Sequence, residues 1–94
     1  ELGTKTKKRM LYILDEPTTG LHFKDIENLL ITFRKLVNEQ HSLLIIEHNT
    51  EVIRASDWII DIGPDSGING GEIVASGTPD EIKINPNSIT GHFI

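Results

Sequence analysis

Met10-Leu11-Tyr12-Ile13-Leu14-Asp15-Glu16-Pro17 decides the fold. Five apolar residues run without interruption, which is how a buried parallel strand reads. Two adjacent acids follow, and Pro17 ends the strand because it cannot donate to a ladder. Downstream, Ile26, Leu29, Leu30, Phe33, Leu36 and Val37 fall at steps of three, one, three, three and one. That is the apolar stripe of a helix, expected from about His22 to Asn38. Asp25 and Glu27 in its first turns and Arg34 and Lys35 near its end suit the helix dipole. Ser42 to Glu47 (SLLIIE) then reads as a second buried strand.

Further along, Asn49 or Thr50 can cap a short helix through Ala55. Asp57 to Ile62 (DWIIDI) reads as a third strand, in which Trp58 is a core or layer-packing aromatic and Asp57 and Asp61 bracket an apolar stretch. Residues 63–71 are turn-rich, and Glu72 to Ala75 reads as a fourth strand. Thr78-Pro79-Asp80-Glu81 has the form of a capping box with proline at the first helical position. The short helix it opens runs to about Ile84, and Asn85 to Ile94 reads as a loosely held tail. Ahead of the first strand, Lys5, Lys7, Lys8 and Arg9 form either a phosphate-facing patch or a solvated run. Strands alternating with helices indicate an α/β layered fold: a mostly parallel sheet, flanking helices and a C-terminal hairpin.

Composition narrows the function. Ninety-four residues make one domain at most, with a modest core. The absence of cysteine excludes a disulfide scaffold and a cysteine-ligated zinc or iron–sulfur site in these residues. A formal charge of -5 argues against nucleic-acid binding by bulk charge. The apolar runs are too short to span a membrane, so a soluble, cytoplasmic protein is expected. The chain opens on Glu1 without an initiator methionine, as a piece of something larger would.

In open α/β sheets, reactive groups gather beyond the carboxyl ends of the strands. The first strand here ends in Asp15-Glu16 and the second in Glu47-His48. If the strands are parallel neighbours, a carboxylate pair and an imidazole converge on one rim. One acid can then hold a magnesium ion through water. The next can polarise an attacking water, and the histidine can hydrogen-bond a terminal phosphate. The plainer alternatives are a solubilising strand end for the acids and a satisfied rim histidine for His48. His41 reads as a solvated loop histidine, and His92 receives no role. His22, His48, Asp15 and Glu16 fit no zinc spacing.

These residues carry a resemblance. Leu11-Tyr12-Ile13-Leu14-Asp15-Glu16-Pro17-Thr18-Thr19-Gly20-Leu21 resembles the Walker B strand and D-loop of an ABC-type ATPase, and Ile45-Ile46-Glu47-His48-Asn49 its switch-histidine strand. His22 stands where most transporter ATPases of this type carry an aspartate. Residues 55–64, 70–79 and 90–94 resemble the closing part of the UvrA family, the damage-recognition ATPases of the bacterial excinuclease. The turn at 65–69 departs from that family's glycine-richer version.

The resemblance implies a partial P-loop nucleotide-binding domain over residues 1–94. By it, Asp15 is the magnesium-associated acid, Glu16 positions the hydrolytic water, and His48 senses the terminal phosphate. Thr19, Gly20, Leu21 and His22 would lie at a homodimer interface. The implied cofactors are ATP and magnesium. The implied partners are damaged DNA and the other excinuclease subunits, and no membrane.

No Gly-x-x-x-x-Gly-Lys-Ser/Thr loop and no Leu-Ser-Gly-Gly signature occurs in these residues. They hold the hydrolytic half of an ATP site without its phosphate cradle. The family's phosphate-loop strand would lie between residues 42–47 and 57–62, so those strands are expected to pair directly or to be covered by a second copy. Three other readings compete: a transporter ATPase, a phosphoryl-accepting receiver domain and a non-catalytic interaction module. His22 and Gly63-Pro64 oppose the first, and the second lacks a lysine at a later strand end.

Overall fold

A computed structural model describes residues 8–63 and 71–94. Lys5, Lys7 and the turn at 64–70 lie outside the described residues. The chain falls into two compact units, the first ending at Glu47 and the second opening at His48.

The first unit is a β-α-β arrangement. Strand β1 (Leu11–Asp15) leads through a turn to helix α1 (Phe23–Asn38), and strand β2 (Ser42–Ile46) returns parallel to β1. Leu11 is registered with Ser42, Ile13 with Leu44 and Asp15 with Ile46. Two parallel strands need a crossover of this kind, and α1 provides it. Ile26 and Phe33, seven positions apart on one helical face, are its buried residues.

Helix α1 starts and stops where local chemistry directs. Asp25 Oδ2 accepts from the His22 backbone N–H at 3.4 Å, in the first turn. At the other end, Gln40 takes a left-handed φ of 73°. The Gln40 N–H donates to Val37 O and the His41 N–H to Leu36 O, both at 3.0 Å. This is a Schellman closure with glutamine where glycine is usual.

Alternation divides the β1–β2 ladder into two faces. Tyr12, Leu14, Leu43 and Ile45 are half-buried. Leu11, Ile13, Leu44 and Ile46 are exposed, at 51–64%. The apolar runs announced strands covered on both sides, and in this chain one side is covered. Unbroken hydrophobicity records that a strand needs two apolar neighbours without identifying the segment that supplies each.

The second unit begins with helix α2 (Thr50–Ala55). Asn49 caps it, its Oδ1 accepting from Glu51 N at 2.9 Å and Val52 N at 3.2 Å. Strand β3 (Ile59–Ile62) pairs antiparallel with β4 (Ile73–Gly77). The Gly63 N–H donates to Glu72 O at 2.7 Å and closes that pair. Helix α3 (Pro79–Lys83) opens on the expected capping box: Thr78 N donates to Glu81 Oε1 at 2.8 Å, and Glu81 N to Thr78 Oγ1 at 3.3 Å. Ile59, Ala75 and Ile82 form the core, with Ile53 and Ile94 packed against it.

Three expectations are corrected. Among the described residues, two two-stranded sheets, one parallel and one antiparallel, stand where a mostly parallel sheet was expected. Only residues 63–72 join β3 to β4, too short a connection for a parallel crossover. Trp58 is 59% exposed rather than in the core. It shares strand parity with the exposed Ile60 and Ile62, while the opposite parity carries buried Ile59.

The tail is docked, not loose. Ser88 is buried, its Oγ donates to Asp61 Oδ2 at 2.5 Å, and the Gly91 N–H donates to that Oγ at 2.9 Å. The Thr90 N–H reaches the same Asp61 oxygen at 3.3 Å and opens a 3-10 turn, Thr90–His92. A Cβ on Gly91 would collide with the carbonyl oxygen of Ile82.

Candidate active site at the carboxyl end of the parallel pair

The β1–β2 ladder runs one residue past β1: the Glu16 N–H donates to Ile46 O at 2.7 Å. The backbone then turns sharply. Glu16 has φ 47°, in the left-handed region that a side-chain-bearing residue occupies at a cost. Thr19 closes the turn twice on the Glu16 carbonyl, through its N–H at 3.2 Å and its Oγ1 at 2.9 Å. Leu21 N donates to Thr18 O at 3.0 Å, and Gly20 supplies a second left-handed residue at φ 78°.

This geometry presents two carboxylates. Asp15 and Glu16 are both exposed, and among the described residues neither carboxylate has a hydrogen-bonding or ionic partner. Both oxygens of each are open to a ligand or to water. The third acid, Glu47, differs. It is half-buried at the end of β2, and its Oε2 accepts from Thr18 Oγ1 at 2.8 Å and Thr18 N at 3.3 Å.

Thr19, Gly20, Leu21 and His22 follow as an exposed loop leading into α1. The structure therefore gathers Asp15, Glu16, Thr19–His22 and Glu47 around the carboxyl end of one parallel pair. His48 is exposed and opens the second unit. Among the described residues, no group of three or more His, Asp or Glu side chains is arranged to hold a metal ion.

Lys8 and Arg9 are exposed and precede the amino end of β1, whereas Asp15 and Glu16 stand at its carboxyl end. His41 is corrected: it is half-buried, its Nδ1 accepts from Met10 N at 3.0 Å, and its ring meets Tyr12 edge-on at 5.7 Å. Sequence reasoning gave Glu47 no role beyond marking a strand end. The available signal was a glutamate terminating an apolar strand across from a threonine-rich turn.

No family model matches the sequence. Individual relatives match strongly. All 94 residues align at 54% identity with UvrABC system protein A of Rhizobium meliloti, at 50% with that of Mycobacterium leprae and at 52% with that of Thermus thermophilus. The chain matches a C-terminal part of UvrA. It spans about 10% of the length of these UvrA relatives. The crystal structure of UvrA2 from Deinococcus radiodurans superposes with a TM-score of 0.83 at 45% identity, over 90% of this chain and 11% of that one. The similarity to UvrA leaves the transporter ATPase disfavoured. No helix among the described residues is long and apolar enough to cross a membrane.

Proposed function

We propose that this chain is the C-terminal part of the ATPase that recognises DNA damage in nucleotide excision repair. Its role there is to supply the hydrolytic carboxylates of an ATP site in an ABC-type nucleotide-binding domain. The observation that carries this is the strand end. Asp15 and Glu16 are exposed and unpartnered, and a costly left-handed backbone sets Glu16 at the carboxyl edge of a parallel pair. Costly backbone conformations cluster at functional sites, and 45–55% identity to UvrA relatives over the chain supports the family context.

Asp15 suits magnesium. A single open carboxylate, with water and phosphate oxygens completing the shell, is an ordinary magnesium set. When bound, the ion neutralises charge on the phosphates. Glu16 accepts a proton from the attacking water as its oxygen bonds to the terminal phosphorus and the bond to the bridging oxygen breaks. His48 hydrogen-bonds the terminal phosphate. Thr19, Gly20, Leu21 and His22 contact the second subunit of a homodimer. The phosphate cradle comes from elsewhere in the polypeptide, since these residues have no glycine–lysine loop. Damaged DNA is bound elsewhere too, because -5 repels a polyanion. The other excinuclease subunits complete the cytoplasmic assembly.

The test is Glu16→Gln in the full-length protein. Glutamine keeps the shape and cannot take the proton. ATP binding is expected to survive while hydrolysis falls about 10²–10⁴-fold. Turnover at the parental rate would overturn the assignment.

A further inference from the structure

We propose that Glu47 is a positioning residue for Glu16, acting through Thr18. The inference rests on the reading of Glu16 as the residue that orients the hydrolytic water.

Glu16 is followed by Pro17, whose ring fixes its own φ. Thr18 comes next, and one oxygen of Glu47 accepts from both its hydroxyl, at 2.8 Å, and its backbone N–H, at 3.3 Å. On the other side, Glu16 itself is tied to β2 through the Ile46 carbonyl at 2.7 Å. Two consecutive residues of β2 and its end, Ile46 and Glu47, therefore grip the chain immediately before and after the Glu16 side chain. The Glu16 carbonyl is held as well, by Thr19.

A left-handed residue other than glycine persists only where its surroundings over-determine it. The grip on Thr18 is part of that determination. It is the part in which a single half-buried carboxylate oxygen takes two donors from one residue of the turn. Released at Thr18, the turn can relax toward ordinary extended or helical φ. The Glu16 carboxylate then swings off the position its chemistry needs. Glu47 touches no reacting atom in this scheme. Its effect reaches the site through Thr18 and the backbone.

The experiment compares Glu47→Ala, Thr18→Val, Thr18→Ser and the Glu47→Ala/Thr18→Val double variant in the full-length protein, with Glu16→Gln alongside. Misplacement by about 1 Å costs about 10²-fold. Glu47→Ala and Thr18→Val are therefore expected to lower kcat about 10- to 100-fold. KM for ATP should stay within about threefold, since the lost interaction acts on the transition state. Thr18→Ser, which keeps the hydroxyl, restores turnover relative to Thr18→Val. The double variant is no worse than Glu47→Ala, because the hydroxyl bond that Thr18→Val removes is already lost with the Glu47 carboxylate. Hydrogen exchange at the Thr18 amide speeds up in Glu47→Ala.

If Glu47→Ala or Thr18→Val lowers the melting temperature and leaves kcat at the parental value while Glu16→Gln abolishes hydrolysis, the clamp is structural only and the proposal fails alone. If Glu16→Gln leaves hydrolysis intact, the reading of the site fails and takes the clamp with it. Should Glu47→Ala not fold, Thr18→Val, which removes one hydroxyl and no volume, decides the matter.

Discussion

Two side-chain-bearing residues occupy left-handed backbone in the described chain, Glu16 and Gln40. They differ in what glycine would do there. Gln40 closes helix α1 and carries no chemistry, so Gln40→Gly removes strain at no functional cost. A left-handed residue with a Cβ costs about 1–2 kcal/mol, and the extra chain freedom of glycine offsets part of the relief. The expected gain is about 0.5–1 kcal/mol by denaturant unfolding. A lower midpoint would show that Gln40 contributes contacts worth more than the strain. Glu16→Gly relieves the same kind of strain and removes the carboxylate, so it is expected to melt no lower while hydrolysis is lost. Asp15 and Glu16 were legible as candidates because two adjacent acids ending an apolar run are conspicuous in a sequence. The φ of Glu16 and the Thr18–Glu47 clamp were not. Each depends on where the parallel neighbour ends, and a one-residue shift of register would remove both.

At the level of elements, helix starts were readable because capping is local chemistry. Asn49 holds two N–H groups of α2, and Thr78 with Glu81 forms a reciprocal box on α3. Asn49→Ala is expected to cost about 1 kcal/mol, seen as a lower midpoint with unchanged far-ultraviolet signal in the remaining elements. The docked tail was not readable. Residues 85–94 are rich in Asn, Pro, Ser, Thr and Gly, a composition that reads as loop. It is held by one buried serine bridging Asp61 and the Gly91 amide. Ser88→Ala leaves both partners without that bond, at about 1–3 kcal/mol. Limited proteolysis should then release the tail well before the rest of the second unit is cut. Equal cutting rates in parent and variant would mean that Ile94 and the Gly91–Ile82 contact suffice to hold it.

For the whole molecule, each unit carries a two-stranded sheet with an apolar side left open: Leu11, Ile13, Leu44 and Ile46 in the first, Trp58, Ile60, Ile62 and Ile73 in the second. Exposed apolar patches and free strand edges recruit cover. The 94 residues in isolation are expected to self-associate, and light scattering on a sizing column checks this; a monodisperse monomer would overturn it. The same isolated residues are expected to release no phosphate from ATP above an Asp15→Asn control, for want of a phosphate cradle. The sequence by itself determined the type of nearly every element, the strand-end acids and the likeness to UvrA. Periodicity, capping and motif spacing are properties of neighbouring residues. Only the tertiary structure decided which strand pairs with which, that β3 and β4 pair antiparallel, that Trp58 is exposed and the tail docked, and that Glu47 grips Thr18. Those outcomes depend on pairing and burial between segments distant along the chain, whose free energies no local pattern records.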